Sequence, residues 1–567
     1  MTPSQELVQG HVSGLTHEVT NQSAPLVGAN LYRGHRALRD ALAFHGVAAD
    51  DAALDVLGAE VGSAEMQSHA RLAHVHPPVL HTHDRQGRRI DEVEFHPSYH
   101  RLMERVIGHG LHGAPWAGGP GAHVRRAAGF MLFTELEPSV MCPVSMSYAA
   151  TPALKAHPVL HALWSPRLTA ATYDPSARPV ADKRGVTLGM GMTEKQGGSD
   201  VRANTTRALP DGADAWGERY LITGHKWFFS APMSDAHLVL AQTGGGLSCF
   251  LVPRWLPDGT RNRVEVQRLK DKLGNHANAS SEVEFREAFG WRVGDEGRGV
   301  TQILAMGALT RLDCALGTAG LMRQALSIAI HHTSQRSAFG RPLIDQPLMK
   351  NVLADLALES EAATALALRV ARTVDRTEHR QDATGHEAIM RRVLTPVAKF
   401  WVCKRGSHFA QEAMECLGGN GYVEEQGEGV MARIYREMPL NSIWEGAGNI
   451  MAIDLLRSLR AGPVADALAA ELAPALGAHP HFDRLAQGLP ARLDGLTDEI
   501  EARVLARDVA LAVQAALLRQ HAPEFVFEAF CASRLNGGDS LGAFGSLPRS
   551  CAFDALIDRA NPISSSS

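Results

Sequence analysis

Between Val186 and about Phe289 the chain changes its hydrophobic period, and this change restricts the fold more than any other feature. Tyr220-Leu-Ile-Thr, His237-Leu-Val-Leu-Ala, Ser248-Cys-Phe-Leu-Val and Glu282-Val-Glu-Phe are short runs of strand-forming residues, separated by Gly, Asn, Asp and Pro. Such runs fit a pleated, half-buried surface, so the segment reads as a small antiparallel β domain. On both sides the period is helical. Up to about Arg184 the pattern is mostly helical. Turn residues break it at Pro77-Pro78, at Gly118-Gly119-Pro120-Gly121 and between Pro175 and Pro179. From about Gly299, Leu312, Leu316, Ala319, Met322, Leu326 and Ala329 recur every three or four residues, and Val352, Leu356, Ala363, Leu366 and Val370 repeat the pattern. These are the apolar stripes of packed helices. Past Leu456, Ala- and Leu-rich stretches with Leu468, Leu472, Val509, Val513 and Leu517 add further helices. The expected fold is mainly α, with a central small antiparallel β domain and an extra C-terminal helical domain. The 567 residues divide into an N-terminal helical domain (1–185), a β domain (186–295), a helical bundle (296–456) and a C-terminal helical domain (457–567).

Several function classes are disfavoured by composition. The formal net charge is −5, so no global positive field draws in nucleic acid. No run of about 18 apolar residues is present, and a membrane span is not expected. Met1-Thr-Pro-Ser-Gln-Glu lacks the basic and apolar regions of a secretory signal. The seven cysteines, at 142, 249, 314, 403, 416, 531 and 551, form no C-x-x-C pair. A disulfide framework or a zinc site is therefore not expected, and a reducing cytoplasm fits. The 27 histidines include no H-E-x-x-H, and no metal ligand set is assigned. The tail, Pro562-Ile-Ser-Ser-Ser-Ser, reads as disordered.

Three segments depart from ordinary core or surface composition. Gly189-Met-Gly-Met-Thr-Glu-Lys-Gln-Gly-Gly-Ser-Asp200 combines glycines, which let a backbone approach a ligand, with the hydroxyls of Thr193 and Ser199. Taken alone it reads first as a capped glycine turn. Gly224-His-Lys-Trp-Phe-Phe-Ser230 places three aromatics after a strand, where they could flank a planar group or fill a core. In Arg436-Glu-Met-Pro-Leu-Asn-Ser-Ile-Trp-Glu-Gly-Ala-Gly-Asn-Ile450, Glu445 lies between an aromatic and a glycine. A carboxylate there could have a raised pKa and act as a base, or serve as a cap or ion-pair partner.

Taken in order, these segments resemble the acyl-CoA dehydrogenase superfamily. Met192-Thr193-Glu194 with Gly198-Ser199-Asp200 looks like its flavin-contacting loop, and Phe228-Phe229-Ser230 like its second flavin segment. Gln335-Arg336-Ser-Ala-Phe339-Gly340 is similar to the R-x-x-F-G segment that reaches the FAD of a neighbouring subunit. Leu417-Gly418-Gly419-Asn420-Gly421-Tyr422 is similar to the family's G-G-N-G-aromatic loop near that FAD. Arg436 and Ile443-Trp444-Glu445-Gly446 look like the segment carrying the catalytic base. Five motifs in order make a chance match improbable. Arg71-Leu-Ala-His-Val-His-Pro-Pro, Phe95-His-Pro-Ser-Tyr-His, Arg268-Leu-Lys-Asp-Lys-Leu-Gly-Asn275 and Asn441-Ser-Ile-Trp-Glu-Gly-Ala-Gly-Asn resemble the AidB-type adaptive-response flavoproteins within it, which carry an added C-terminal helical domain.

The resemblance implies an acyl-CoA dehydrogenase-like fold, bound FAD and α,β-dehydrogenation of an acyl-CoA. A carboxylate removes the α-proton while the β-hydrogen leaves as hydride to the flavin, which carries the redox chemistry. Glu445 is the implied base. Thr310 occupies the place where other members put that glutamate on an earlier helix, and Asp313 beyond it reads as structural. Met192, Thr193, Phe228 and Ser230 are implied along the isoalloxazine ring and Ser199 at the pyrophosphate, with Phe229 and Gly198 also among the cofactor-binding residues. Arg336 and Phe339 with Gly418 and Gly419 would serve a neighbouring subunit's FAD, and Trp444, Gly446, Ala447 and Asn449 would complete the flavin contacts. Ala447 replaces a common Thr, and Glu415 a usual Gln.

The resemblance further implies a homotetramer, a link to the DNA alkylation response and binding to double-stranded DNA. Residues 451–567 hold ten Arg, no Lys and fourteen Asp plus Glu, so any DNA face must come from clustering of Arg457, Arg460, Arg503, Arg507, Arg519, Arg534 and Arg549. A second basic cluster comprises Arg261, Arg263, Arg268, Lys270 and Lys272. For both clusters an ordinary ion-paired surface is an equal or better reading. The alternative function is an ordinary metabolic dehydrogenase of a short or branched acyl-CoA without a DNA role.

Overall fold

The computed structural model describes residues 16–460, 462–495, 498–537 and 542–563; the expectations for Met1 to Glu6 and for the serines after Ile563 lie outside them. The N-terminal part packs α1 (Arg36–Phe44), α2 (Ala52–Val61), α3 (Ala64–Val75), α4 (Pro97–Gly108), α5 (Ala122–Leu136), α6 (Met141–Ala153) and α7 (Pro158–Leu168). A two-stranded hairpin, β1 (Val79–His83) with β2 (Arg89–Glu94), interrupts these helices. The N-terminal part, expected to be helical, thus carries a hairpin as well. Its strands are short and carry charges on their outer face, and its side chains find their partners far along the chain. Asp91, buried at the base of β2, binds Arg89 at 2.9 Å and Arg261 of the β domain at 2.5 Å.

The β domain contains β3 (Leu188–Gly191), β4 (Arg207–Asp214), β5 (Gly217–Ser230), β6 (Ala236–Thr243), β7 (Gly246–Pro253), β8 (Val264–Leu269) and β9 (Ser280–Val293) in one sheet. The order is β3-β6-β4-β5-β9-β7, and β7 also pairs with β6, so the sheet closes on itself. Most pairings are antiparallel, as expected. β3 departs from this: it lies parallel to β6, with Gly189 opposite His237. A Cβ on Gly189 would meet the His237 ring at 2.4 Å, and one on Gly191 would meet Phe229 at 2.7 Å. These glycines, expected in a ligand loop or a capped turn, also let this strand sit against two rings.

The bundle is built from α8 (Gly299–Gln335), α9 (Pro347–Glu378) and α10 (His386–Glu415), which pack on one another and on α5 and α6. The short turn α11 (Gly419–Tyr422), α12 (Val430–Asn441) and α13 (Gly448–Leu459) follow. The apolar positions read from the sequence, among them Leu312, Leu316, Met322, Leu326, Leu356 and Val370, are buried. The C-terminal helices are α14 (Val464–Leu472), α15 (Pro480–Gly495), α16 (Ala502–His521), α17 (Glu524–Arg534) and α18 (Phe553–Ala560). Buried ion pairs join them to the bundle. Glu471 of α14 binds Arg369 of α9 at 2.6 Å and His386 of α10 at 3.0 Å. Arg534 of α17 binds Glu359 at 3.1 Å and also reaches Asp355. Arg559 of α18 binds Glu361 at 2.9 Å.

Candidate active site

Glu445 lies in the turn between α12 and α13, and it holds a left-handed backbone with φ of 61°. Gly446 follows at φ of 104°. A non-glycine residue in that region carries local strain and persists only when its surroundings fix it. Here the surroundings do so from three helices. Arg311 on α8 donates Nε to the Glu445 carbonyl at 2.9 Å while pairing with Asp454 of α13 at 2.8 Å. Lys399 on α10 donates Nζ to the Gly446 carbonyl at 2.6 Å. The Trp444 indole donates to Asn441 Oδ1 at 3.0 Å, and Asn441 donates in turn to Thr318 on α8 at 3.1 Å.

The turn aims the Glu445 carboxylate at α8. The Thr310 hydroxyl donates to Oε2 at 2.9 Å. A Cβ on Gly307, one turn earlier, would stand 4.0 Å from the same oxygen, so α8 leaves the carboxylate uncrowded there. Burial raises the Glu445 pKa above the usual carboxylate range, while Thr310, Arg311 and Lys399 act against the rise. Thr310, read only as the place where an alternative base is missing, is therefore the hydrogen-bond partner of the base that remains. Asp313 is structural: both it and Arg126 are buried, and they form a two-pronged pair with one arm at 2.9 Å. Thr310→Val removes a donor that favours the charged carboxylate, so the Glu445 pKa must rise. A base works above its pKa, and the acid limb of a kcat/KM profile is expected to move up by about one pH unit. A limb that stays in place would detach Thr310 from the base.

Cys142, at the start of α6, connects this carboxylate to the β domain. Burial pushes its thiol up to about 11, Lys272, Ser230 and Asn278 lower it, and Glu445 adds to the rise. The two β-domain segments are joined by the Trp227 N–H, which donates to the Thr193 carbonyl at 2.8 Å. Asn204 donates to the Met192 carbonyl at 2.9 Å. Beneath them Glu194 and Lys226, both almost wholly buried, form an ion pair at 2.8 Å. Glu194 also accepts from the backbone of Thr205 at 2.7 Å and Thr206 at 3.1 Å, and Lys226 donates to the Leu240 carbonyl at 2.9 Å. The pairing with Lys226 holds the Glu194 carboxyl well below the carboxylate range against the opposing cost of burial, and burial draws the Lys226 ammonium down to about 8. No sequence periodicity marks this pair, although it fixes the loop bearing Met192, Thr193 and Ser199.

These residues fit a flat apolar ring with polar edges and a charged tail. Phe228 is 54% exposed at the end of β5, beside partly exposed Met192, Thr193 and Ser230, and Ser199 is exposed. Apolar surface with hydroxyls at its margin is what a bound isoalloxazine requires. Phe229, of the same segment, does not face this surface. It is 2% exposed and stacks on His237 at 3.9 Å, because alternate residues of β5 face opposite sides of the sheet. Gly198 folds onto Thr193, where a Cβ would meet Oγ1 at 2.4 Å. Trp444 and Gly446 lie with the Glu445 turn; Ala447 is the residue before α13, and Asn449 accepts from Arg503 at 3.1 Å.

Arg336 and Phe339 stand apart. Arg336 follows the last residue of α8, 26 residues beyond Thr310, which is about 39 Å of helix. Phe339 is 97% exposed, with φ of 52°. Tyr422 is 78% exposed beside Gly418 and Gly419, which have open space on the side where a Cβ would be. Among the described residues, no group of three or more His, Cys, Asp or Glu is arranged to hold a metal ion.

Comparison with known proteins places this geometry among relatives. Residues 21–175 match the adaptive response protein AidB N-terminal domain, residues 189–288 the acyl-CoA dehydrogenase middle domain, and residues 297–460 the acyl-CoA dehydrogenase C-terminal domain. The chain is 48% identical over 522 residues to the acyl-CoA dehydrogenase-type protein AidB of Escherichia coli, covering 91% of this chain and 94% of that one. The solved structure of Bd2924 in its apo form superposes with a TM-score of 0.81 at 30% identity, over 89% of this chain and all of that one. ACDH-11 of Caenorhabditis elegans, solved in complex with C11-CoA, also gives 0.81, at 25% identity over 92% of this chain and 95% of the other.

Proposed function

The chain belongs to the acyl-CoA dehydrogenase superfamily, in its AidB-like branch, and from that premise we propose that it dehydrogenates an acyl-CoA between Cα and Cβ with Glu445 as the base. FAD is the cofactor and supplies the hydride acceptor. The observation that carries the proposal is the Glu445 carboxylate, held in a strained turn by three helices and raised in pKa by burial. A carboxylate so raised accepts a proton more readily than a solvated one, and its fixed turn means no reorganisation is needed when it does. Arg311 and Lys399 hold the backbone rather than the carboxylate, which keeps the carboxylate from being locked in an ion pair. Met192, Thr193, Phe228 and Ser230 would line the flavin ring, with Ser199 toward its phosphates. The relative solved with C11-CoA supports a thioester of this class as substrate. The test is product analysis: with an artificial electron acceptor, an acyl-CoA is expected to lose two mass units to the enoyl-CoA. Acyl-CoA recovered intact across a panel of straight and branched chains would overturn the reading.

We also assign Arg336, Phe339, Gly418 and Gly419 to the FAD of a neighbouring copy in a homotetramer. The length of α8 between Thr310 and Arg336 supports this, since one extended cofactor cannot bridge it. The division into four domains at 185, 295 and 456 and a cytoplasmic location belong to the same proposal. The seven cysteines are free thiols, and among the described residues no helix is long and apolar enough to cross a membrane.

A second reading, duplex DNA binding in an alkylation response, is favoured by the match to the AidB N-terminal domain. Surface charge narrows where such binding could occur. Arg534 is buried in its ion pairs, and Arg457 and Arg507 bind Asp454 and Asp508 at 2.9 and 2.8 Å. In the β domain, Arg261 is tied to Asp91, Arg268 and Lys270 share Glu282 at 2.6 Å each, and Lys272 points inward to Ser280 at 3.1 Å. Among the described residues this leaves Arg460, Arg503, Arg519 and Arg549 of the C-terminal cluster both exposed and without a carboxylate partner. Binding that weakens steeply with salt and disappears when these four become Glu is expected. Absence of binding at low salt would rule the second reading out.

A further inference from the structure

The N-terminal arm crosses the far end of α8 and holds both segments that the preceding reading gives to a neighbour's FAD. Asn21 grips the backbone of Ser337 on both sides: Nδ2 donates to the Ser337 carbonyl at 2.8 Å, and Oδ1 accepts from the Ser337 N–H at 2.7 Å. The Asn21 carbonyl accepts from Arg336 Nη1 at 2.8 Å. Gln22 Oε1 accepts from Asn420 in the Gly418–Tyr422 loop at 3.2 Å. Ser23 meets His332 at 2.8 Å, and Ala24 exchanges backbone bonds with the side chains of Gln335 and His331, each at 2.8 Å.

Two features make this more than an edge contact. Among the described residues no carboxylate pairs with Arg336, and the Asn21 carbonyl is its one side-chain partner. A guanidinium has five N–H donors in a rigid fork, so one held by a single neutral carbonyl keeps its charge and most of its donors for a ligand. Asn21 itself has φ of 55°, the left-handed region that Asn tolerates better than other side-chain-bearing residues. That backbone turn lets one residue present its carbonyl to Arg336 and its amide to Ser337 together.

We propose that Asn21 is a positioning residue for FAD: through Ser337 and Arg336 it sets the direction of the guanidinium, and with Gln22 it fixes the spacing of the Arg336 and Gly418–Tyr422 segments. Completion of the cofactor site in one subunit then depends on the N-terminal arm of the next. The inference rests on the assignment of Arg336 to a neighbour's FAD.

The test measures FAD dissociation constants of the full-length protein, stripped of flavin, by fluorescence quenching, for Asn21→Ala, Asn21→Gly and Arg336→Ala. The melting temperature and oligomeric state of each flavin-free variant are recorded in parallel. Asn21→Ala removes both side-chain bonds to the Ser337 backbone and disfavours the left-handed turn that aims the carbonyl at Arg336, and is expected to weaken FAD about tenfold. Asn21→Gly loses the same side-chain bonds but adopts the left-handed turn freely, so its carbonyl stays aimed at Arg336 and it should lose less. The flavin-free melting temperature and oligomeric state should match the wild type. Wild-type FAD affinity in Asn21→Ala beside a loss in Arg336→Ala would overturn the inference and leave the assignment of Arg336 standing. Wild-type affinity in Arg336→Ala would overturn both. A fall in flavin-free stability that matches the fall in affinity would give Asn21 a purely structural role and overturn the proposal.

Discussion

Glu445→Gln is expected to keep its FAD and to lose acyl-CoA-dependent flavin reduction by a factor of about a thousand. The amide keeps the size of the side chain and can still accept from Thr310, whose hydroxyl lies 2.9 Å from Oε2. The Arg311 and Lys399 bonds go to backbone carbonyls and are untouched. Only the capacity to take a proton disappears, and removal of a positioned general base costs about a hundred- to ten-thousand-fold. Asp313 is locked to Arg126, Asp454 is paired with Arg311, and the earlier-helix position is Thr310, so none of these supplies a substitute base. Stopped-flow absorbance of the oxidised flavin band checks this. An unchanged reduction rate would remove Glu445 from the mechanism.

Glu194→Gln is expected to destabilise the β domain by about 3–5 kcal/mol at neutral pH, since breaking a buried ion pair leaves the other charge uncompensated. Lys226 already titrates near 8 beside its partner and falls further without it. The variant can therefore shed the proton instead of burying the charge. Taking a lysine from 10.4 to neutral at pH 7 costs about 4–5 kcal/mol, which sets the ceiling. The sign of the pH dependence follows. A lysine whose folded pKa is depressed releases its proton on folding, so stability rises with pH between the folded and unfolded values. Because the wild-type Lys226 itself titrates near 8, the deficit of Glu194→Gln against the wild type should shrink as pH rises through neutrality toward 8 and level off above it. Because Glu194 fixes the loop carrying Met192, Thr193 and Ser199, FAD affinity should fall in the same variant. Thermal melts across pH, with and without added FAD, provide the check. A deficit that grows with pH would contradict the pairing.

The helical stripes and the strand runs were legible in the sequence because each has a local period and a buried face; Leu316 and Leu326 on α8 and Leu238 and Leu240 on β6 are all buried. Glu445 was legible from its unusual neighbours, Trp444 and Gly446. What escaped was set by contacts between distant residues. Thr310 and Glu445 are 135 positions apart, and nothing local in either segment announces their bond. The Glu194–Lys226 pair looks like two ordinary surface charges until the sheet closes over it. β3 carries no strand signal because its glycines serve ring packing against His237 and Phe229, a requirement invisible without the partner rings. Adjacent aromatics such as Phe228 and Phe229 do not reveal which face each takes; the register with β9, Phe229 opposite Ser281, belongs to the sheet. Arg534 looked available for DNA because its partners Asp355 and Glu359 lie on α9, far earlier in the chain. The hydrogen bonds of Asn21 and Gln22 span more than 300 residues and left no mark in either segment.

The central claim, that this chain is a working FAD-dependent acyl-CoA dehydrogenase, is tested most directly by the visible spectrum of the purified protein, recorded anaerobically before and after addition of a short branched acyl-CoA and, in parallel, of an eleven-carbon acyl-CoA. A yellow protein whose flavin absorbance bleaches with at least one thioester is the predicted result. A yellow protein that bleaches with neither, while dithionite reduces it fully, would contradict the claim.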